Sequence, residues 1–137
     1  MQEDGVRFEE WPVVDPTVGK IGSTWYMYAG YSSSNGPAQI AIAKSTDGFT
    51  FKKDRIIDLG GNVPDIVKAP DGKMHLYYCK DGISRSASSD GVNWSDERVV
   101  LSPSNNQIMC DASVIKKSDG SWVMYYKVQE MSQKTGY

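Results

Sequence analysis

With 137 residues, 39% hydrophobic and 11% aromatic, the chain has the length of one ordinary domain and enough apolar side chains to bury a core. Its net charge of −2, with Lys52, Lys53, Arg55, Lys116 and Lys117 scattered among acidic residues, excludes the basic face of a nucleic-acid binder. No apolar run approaches the ~20 residues of a membrane-spanning helix, and the acidic start "MQEDGVRF" has no signal-peptide core; the expectation is a cytoplasmic protein with no membrane partner.

In chain order, the first element is "EDGVRFEEWPVV", an Asp-Gly turn leading into a strand over 4–13. Asp4-Gly5 returns as Asp47-Gly48 in "STDGFTF" and as Asp90-Gly91 in "SSDGVNW", at intervals of 43 residues. Each copy continues with an apolar residue, a polar residue and an aromatic: Phe8, Phe51 or Trp94. An Asp carboxylate accepts hydrogen bonds from backbone amides of its own turn, and Gly permits the reversal. Asp4, Asp47 and Asp90 are therefore read as structural turn residues, with the aromatic packing between neighbouring units.

A second repeat fills the interval. An aspartate opens an apolar stretch at Asp15 in "VVDPTV", Asp65 in "NVPDIV" and Asp111 in "MCDASV". An aromatic strand follows each: "KIGSTWYMYAG", "APDGKMHLYYC" and "KSDGSWVMYYK". Asp71-Gly72 and Asp119-Gly120 in these segments are two-residue hairpin signals. "AQIAIAKS" and "GISRSASS" supply third strands, "FTFKKDRIIDL" and "VNWSDERVVLS" fourth ones. Period-2 alternation rich in Val, Ile, Tyr and Trp favours strands over helices.

Four strands per unit of about 40–50 residues is the arithmetic of a β-propeller blade. The expected fold is all-β, a single propeller domain over 1–137 made of blades of four antiparallel strands. After the N-terminal strand 4–13 come a blade over 14–60, a blade over 61–104, and a partial blade over 105–137 that the N-terminal strand completes. About three blades fall short of the usual four to eight. Two copies closing a six-bladed ring, a homodimer, or missing blades supplied by another chain would resolve the shortfall.

Cys79 and Cys110 show no metal-ligand spacing and are read as two reduced thiols. The single histidine, His75, sits in an apolar–aromatic run and is read as a strand residue. These counts give no support to zinc chemistry or a Ser-His-Asp triad, so no metal and no cofactor is expected.

The "DPTV" and "PDIV" first strands, aromatic second strands such as "TWYMYAG" and "KMHLYY", and the "STDGFTF" and "SSDGVNW" turns resemble the five-bladed propellers of glycoside hydrolase family 43. These are the arabinanases and xylosidases, with the related invertases of family 32 and levansucrases. The resemblance runs from Asp4 to about Lys127 and covers some three of five blades. It implies a glycoside hydrolase acting on a pentose- or fructose-type glycan, with Asp15 as general base and Asp65 as the residue that tunes pKa and positions the sugar. The third place, the general acid, falls on Asp111, where the family pattern has Glu. Clustered carboxylates raise one another's pKa, as an acid–base pair requires, and inverting hydrolysis sets acid and base about 6.5–9.5 Å apart. Trp25, Tyr31, Trp122 and Tyr126 are candidates for stacking on a sugar, and Glu130 is a further candidate acid; Trp25, Tyr31 and Glu130 form the substrate-binding set. Two other readings stand beside hydrolysis: a carbohydrate-binding module without turnover, and a structural fragment whose aspartates only cap strands.

Overall fold

Alternating β-branched, aromatic and polar residues form ten antiparallel strands, and no α-helix, among residues 11–131, the part of the chain that the computed structural model describes. The first sheet holds β1 (Val13–Ile21), β2 (Thr24–Tyr31), β3 (Gln39–Ser45) and β4 (Lys52–Ile57) in that order. The second holds β5 (Asn62–Lys68), β6 (Met74–Cys79), β7 (Ile83–Ser88) and β8 (Ser95–Leu101), again in chain order. β9 (Gln107–Lys116) and β10 (Trp122–Glu130) form a two-stranded sheet. They are called blades 1, 2 and 3 below. The innermost strands β1, β5 and β9 lie side by side in that order. The strand expected over 4–13, with Asp4 and Phe8, lies outside the described residues except at its end.

Strand periodicity sorts side chains between the two faces of each blade. Along β6, Met74, Leu76 and Tyr78 are buried against blade 1, while His75, Tyr77 and Cys79 turn toward blade 3. The main core fills the joint between blades 1 and 2: Tyr28, Ile40 and Ile42 from one side, Ile66, Met74, Leu76 and Tyr78 from the other. A smaller cluster of Met27, Ala43 and Phe51, with Trp25 against it, covers the opposite face of blade 1.

The repeated turns are built as their sequence requires. Asp47 Oδ1 accepts the amides of Phe49 and Thr50 at 2.8 and 2.9 Å, and Asp90 Oδ1 accepts those of Val92 and Asn93 at 2.9 and 2.8 Å. Ser45 and Ser88 close each turn by accepting the glycine amide. Gly91 lies at φ +80°, and a Cβ there would stand 2.8 Å from the Tyr28 hydroxyl, so both conformation and space demand glycine. Trp94 meets Tyr28 edge-on, ring centroids 5.5 Å apart, and so packs between blades. Phe51, by contrast, packs within its own blade against Met27 and Ala43.

The hairpins at Asp71-Gly72 and Asp119-Gly120 differ from the two-residue turns expected. Ala69 and Lys73 flank a three-residue loop, with Ala69 N–H donating to Lys73 O and Gly72 N–H to Ala69 O. Lys117 and Ser121 repeat this around Ser118, Asp119 and Gly120. Among the loop residues only the glycine takes positive φ, which suits a type I turn followed by a left-handed bulge residue.

The cysteines correct a second expectation. Cys79 and Cys110 are joined in a disulfide, with Cα atoms 5.1 Å apart. Cys79 ends β6 on the face turned to blade 3 and Cys110 lies on β9, so packing of adjacent blades brings together residues 31 apart in sequence.

Candidate active site

All three innermost strands break register at one place. The irregularity falls between Val14 and Thr17 in β1, between Asn62 and Asp65 in β5, and opposite the Tyr125/Lys127 step in β9. Asp15, Val63 and Asp111 sit there with φ of 50°, 51° and 54°, the left-handed region that non-glycine residues avoid. The three aspartates therefore do not share one repeat position, as sequence alignment suggested. Asp15 and Asp111 occupy equivalent bulge positions, while Asp65 stands two residues further along, where β1 has Thr17 and β9 has Ser113.

Their environments differ accordingly. Asp15 is exposed and has no hydrogen-bond or ion-pair partner among the described residues. Asp65 is half-buried and joins all three innermost strands: its Oδ2 accepts the Val114 amide of β9 at 2.7 Å, and its Oδ1 accepts the Thr17 hydroxyl of β1 at 3.5 Å. Thr17 in turn accepts the Ile66 amide at 3.3 Å. Burial pushes the Asp65 carboxyl above its ordinary range, against the opposing pull of the Val114 and Thr17 hydrogen bonds. Asp111 is exposed and paired with Lys127 Nζ at 3.1 Å; its amide donates to Cys79 Sγ.

Strand order divides the remaining candidates between two ends of the blades. Tyr31 pairs with Val13 at the end of β2, with its ring 6.2 Å from Trp11, and Glu130 pairs with Gln107 at the end of β10. Both thus lie at the end where the innermost strands begin, as do Asp15 and Asp111. Trp25 pairs with Lys20 at the far end, packs against the Phe51 cluster, and carries Lys20 Nζ 5.0 Å from its ring centroid. Trp122, opposite Lys116, shares that far end.

Sequence reasoning missed Lys127 and the cystine beside Asp111. Their shared signal was position: Cys110 and Lys127 are cross-strand partners in β9 and β10, next to the bulge. Next to the cystine, Asn62, Lys80, Asp81, Gln107 and Met131 help line a groove of about 460 Å³ between blades 2 and 3. Cys79, Cys110 and Asp111 bring potential metal-ligating atoms within 4.8 Å of one another, but the disulfide occupies both sulfurs. His75, expected as a strand residue, lies in β6 with Nε2 3.2 Å from Asp71 and 3.1 Å from Arg85 Nη1.

No family profile matches the chain, and no curated protein matches its sequence. Solved structures do match its shape. The native arabinanase of Bacillus subtilis aligns with a TM-score of 0.64 at 21% identity, over 90% of this chain and 54% of that one. A family-43 glycoside hydrolase protein of Bacillus licheniformis aligns with a TM-score of 0.68 at 16% identity, over 90% of this chain and 26% of that one. The catalytic domain of a family-62 α-L-arabinofuranosidase of Coprinopsis cinerea gives 0.63 at 16% identity, over 90% and 47%. The chain thus spans about a quarter to a half of the length of these structures. By fold, it is a run of β-propeller blades like those of these solved structures.

Proposed function

We propose that the chain acts on a pentose- or fructose-type glycan through Asp15, Asp65 and Asp111, with Asp15 as the general base. The observation that carries this reading is the contrast between Asp15, exposed and unpartnered on its bulge, and Asp65, half-buried with a raised pKa. An unencumbered carboxylate suits activation of a water, and a second, buried carboxyl suits a tuning role. Asp111, at the equivalent bulge one blade beyond Asp65, takes the place of the acid, where the family pattern has Glu. Being one methylene shorter and paired with Lys127, it must leave that lysine to reach a glycosidic oxygen. Tyr31 and Glu130, at the same end of the blades, complete a substrate surface. Trp25 is better used as packing than as a sugar platform.

The test is turnover of aryl arabinofuranosides and arabino-oligosaccharides by the wild type and by Asp15→Asn. Loss of a general base lowers kcat by about 10²–10⁴-fold. No turnover across a broad glycan panel sinks the hydrolytic reading.

A second reading has its own support. Asp65 spends its carboxylate on Val114 and Thr17, and Asp111 spends its own on Lys127, which suits a scaffold that binds glycan without cleaving it. Calorimetric binding without products would favour that reading. The cystine also fits an oxidising compartment better than a reducing cytoplasm. Thiol alkylation of protein recovered from its native compartment tests this, with free thiols as the contrary result.

A further inference from the structure

The cystine lies where three potential metal ligands meet. Among the described residues, Cys79, Cys110 and Asp111 are the one group of three or more His, Cys, Asp or Glu side chains placed to share a metal ion, with their ligand atoms all within 4.8 Å of one another. The cysteines are 31 residues apart, so no ligand spacing shows in the sequence. Packing of blade 3 on blade 2 makes the group: Cys79 comes from the end of β6, Cys110 and Asp111 from β9 at its bulge.

Three features of the surroundings suit thiolates better than they suit an inert core bridge. The Asp111 amide donates to Cys79 Sγ at 3.3 Å, a contact that favours a negatively charged sulfur. Lys127 is the cross-strand partner of Cys110 and pairs with Asp111 at 3.1 Å, so a positive charge stands beside the two sulfurs. Both cysteines are only partly buried and line the groove of about 460 Å³ between blades 2 and 3. That groove gives a reductant, and then a metal ion, a way in.

We infer that the reduced protein holds a thiophilic divalent cation of the Zn²⁺ kind through Cys79, Cys110 and Asp111, and that cystine and cation exclude each other at this one place. A dithiol reductant opens the bridge: its two thiol hydrogens pass to Cys79 and Cys110 as the S–S bond breaks, and it closes to a disulfide itself. Zn²⁺ then displaces the two thiol protons, and the Asp111 carboxylate exchanges Lys127 for the metal. Two thiolates and a carboxylate carry three negative charges against the cation's two, and Lys127 beside them balances the third. Tetrahedral Zn²⁺ with Zn–S bonds of about 2.3 Å sets two sulfurs about 3.8 Å apart. Side-chain rotation supplies that separation between Cα atoms 5.1 Å apart. The fourth position opens on the groove and takes water, as in zinc sites with three protein ligands. This inference stands whether or not the protein hydrolyses a glycan.

The test is zinc affinity, measured by competition with a chromophoric chelator on the oxidised protein and after reduction with a trialkylphosphine. The phosphine takes oxygen from water, leaves two thiols and adds no competing thiol. The expected result is one Zn²⁺ per reduced chain and none held by the oxidised one. Zinc should also raise the urea midpoint of the reduced protein, because a ligand stabilises the state that binds it. Cys110→Ser, which lacks only the bridge that the reduced wild type also lacks, should weaken binding at least about tenfold, the lower bound for loss of even an outer-sphere partner. Asp111→Asn should do the same. Asp81→Asn, a change at another carboxylate lining the groove, should leave the affinity unchanged. No zinc uptake on reduction, a urea midpoint that zinc fails to raise, or binding indifferent to Cys110→Ser or to Asp111→Asn overturns the inference.

Discussion

The joint between blades 1 and 2 is held by packing, while the joint between blades 2 and 3 is held by polar and covalent links. In the first, aromatic and aliphatic side chains from both blades are buried and the turn at Asp90 closes over Tyr28. In the second, the equivalent tyrosine, Tyr77, borders a cavity, and the connection rests on the hydrogen bond from the Val114 amide to Asp65 and on the Cys79–Cys110 bridge. The same residue type at the same repeat position is thus core in one place and surface in another. What decides is the neighbouring fourth strand and its turn, and Tyr125, 63% exposed, is the extreme case.

The largest effect that sharpens this contrast is removal of the disulfide. Closing a loop of 31 residues is worth about 3–4 kcal/mol in the chain-entropy picture. Reduction should lower the stability measured by urea unfolding accordingly, with loss of protection in amide exchange greatest in β9 and β10. Equal loss in β2 and β3 would mean that the two joints are not separate in kind.

Next in size is Asp65. Asp65→Ala leaves the part-buried Val114 amide without its acceptor and should cost about 1–3 kcal/mol. Asp65→Asn keeps an acceptor and removes a charge that burial disfavours, so it should cost far less at pH 7. The sign follows from the raised carboxyl: a group that is harder to ionise when folded makes the fold less stable as pH rises through its titration. The stability of the wild type relative to Asp65→Asn should therefore rise on acidification. A wild type that loses stability relative to Asp65→Asn as pH falls would show that the ionised form is the favoured one.

A smaller effect tests the two tyrosines directly. Tyr28→Phe removes a buried hydrogen bond to Gly91 O and should cost about 1 kcal/mol. Tyr77→Phe removes no such bond among the described residues and should cost little. Equal losses would mean that the two joints are alike after all.

The smallest concerns the turns. The amides of Thr50 and Phe49 hold the Asp47 carboxyl down at about 2, below its ordinary value near 4. Its contribution is present above the unfolded value and is lost as pH falls from about 4 to 2. Asp47→Ala should flatten the acid limb of the stability curve in that window, and an unchanged limb would remove the turn from the account.

Much of the architecture was legible because it is written in local chemistry. The Ser-x-Asp-Gly turns at Ser45 and Ser88 and the alternation in "KMHLYYC" encode structure within a few residues, and both blades follow them. The misreadings share a non-local origin. Asp15, Asp65 and Asp111 align by eye, yet the bulge at Val63 in β5 holds no aspartate, and register across strands is what reveals the two-residue offset. Cys79 and Cys110 look unrelated until blades 2 and 3 pack face to face. Lys127 could not be attached to Asp111 without knowing that β10 crosses β9 beside the bulge. A hairpin's loop length, likewise, depends on where the ladder closes, and Asp-Gly alone does not fix it.

The cystine also changes what a cut in the backbone can do. It closes a covalent loop that contains both outer strands of blade 2, β7 and β8, and the exposed residues Ser104, Asn105 and Asn106 that follow them. A protease that cleaves one peptide bond in that loop leaves the two pieces joined through sulfur, so the nicked chain migrates as one species until a reductant is added. The outer half of blade 2 is thereby tethered to the rest of the molecule at both ends, and a single strand break there need not release anything.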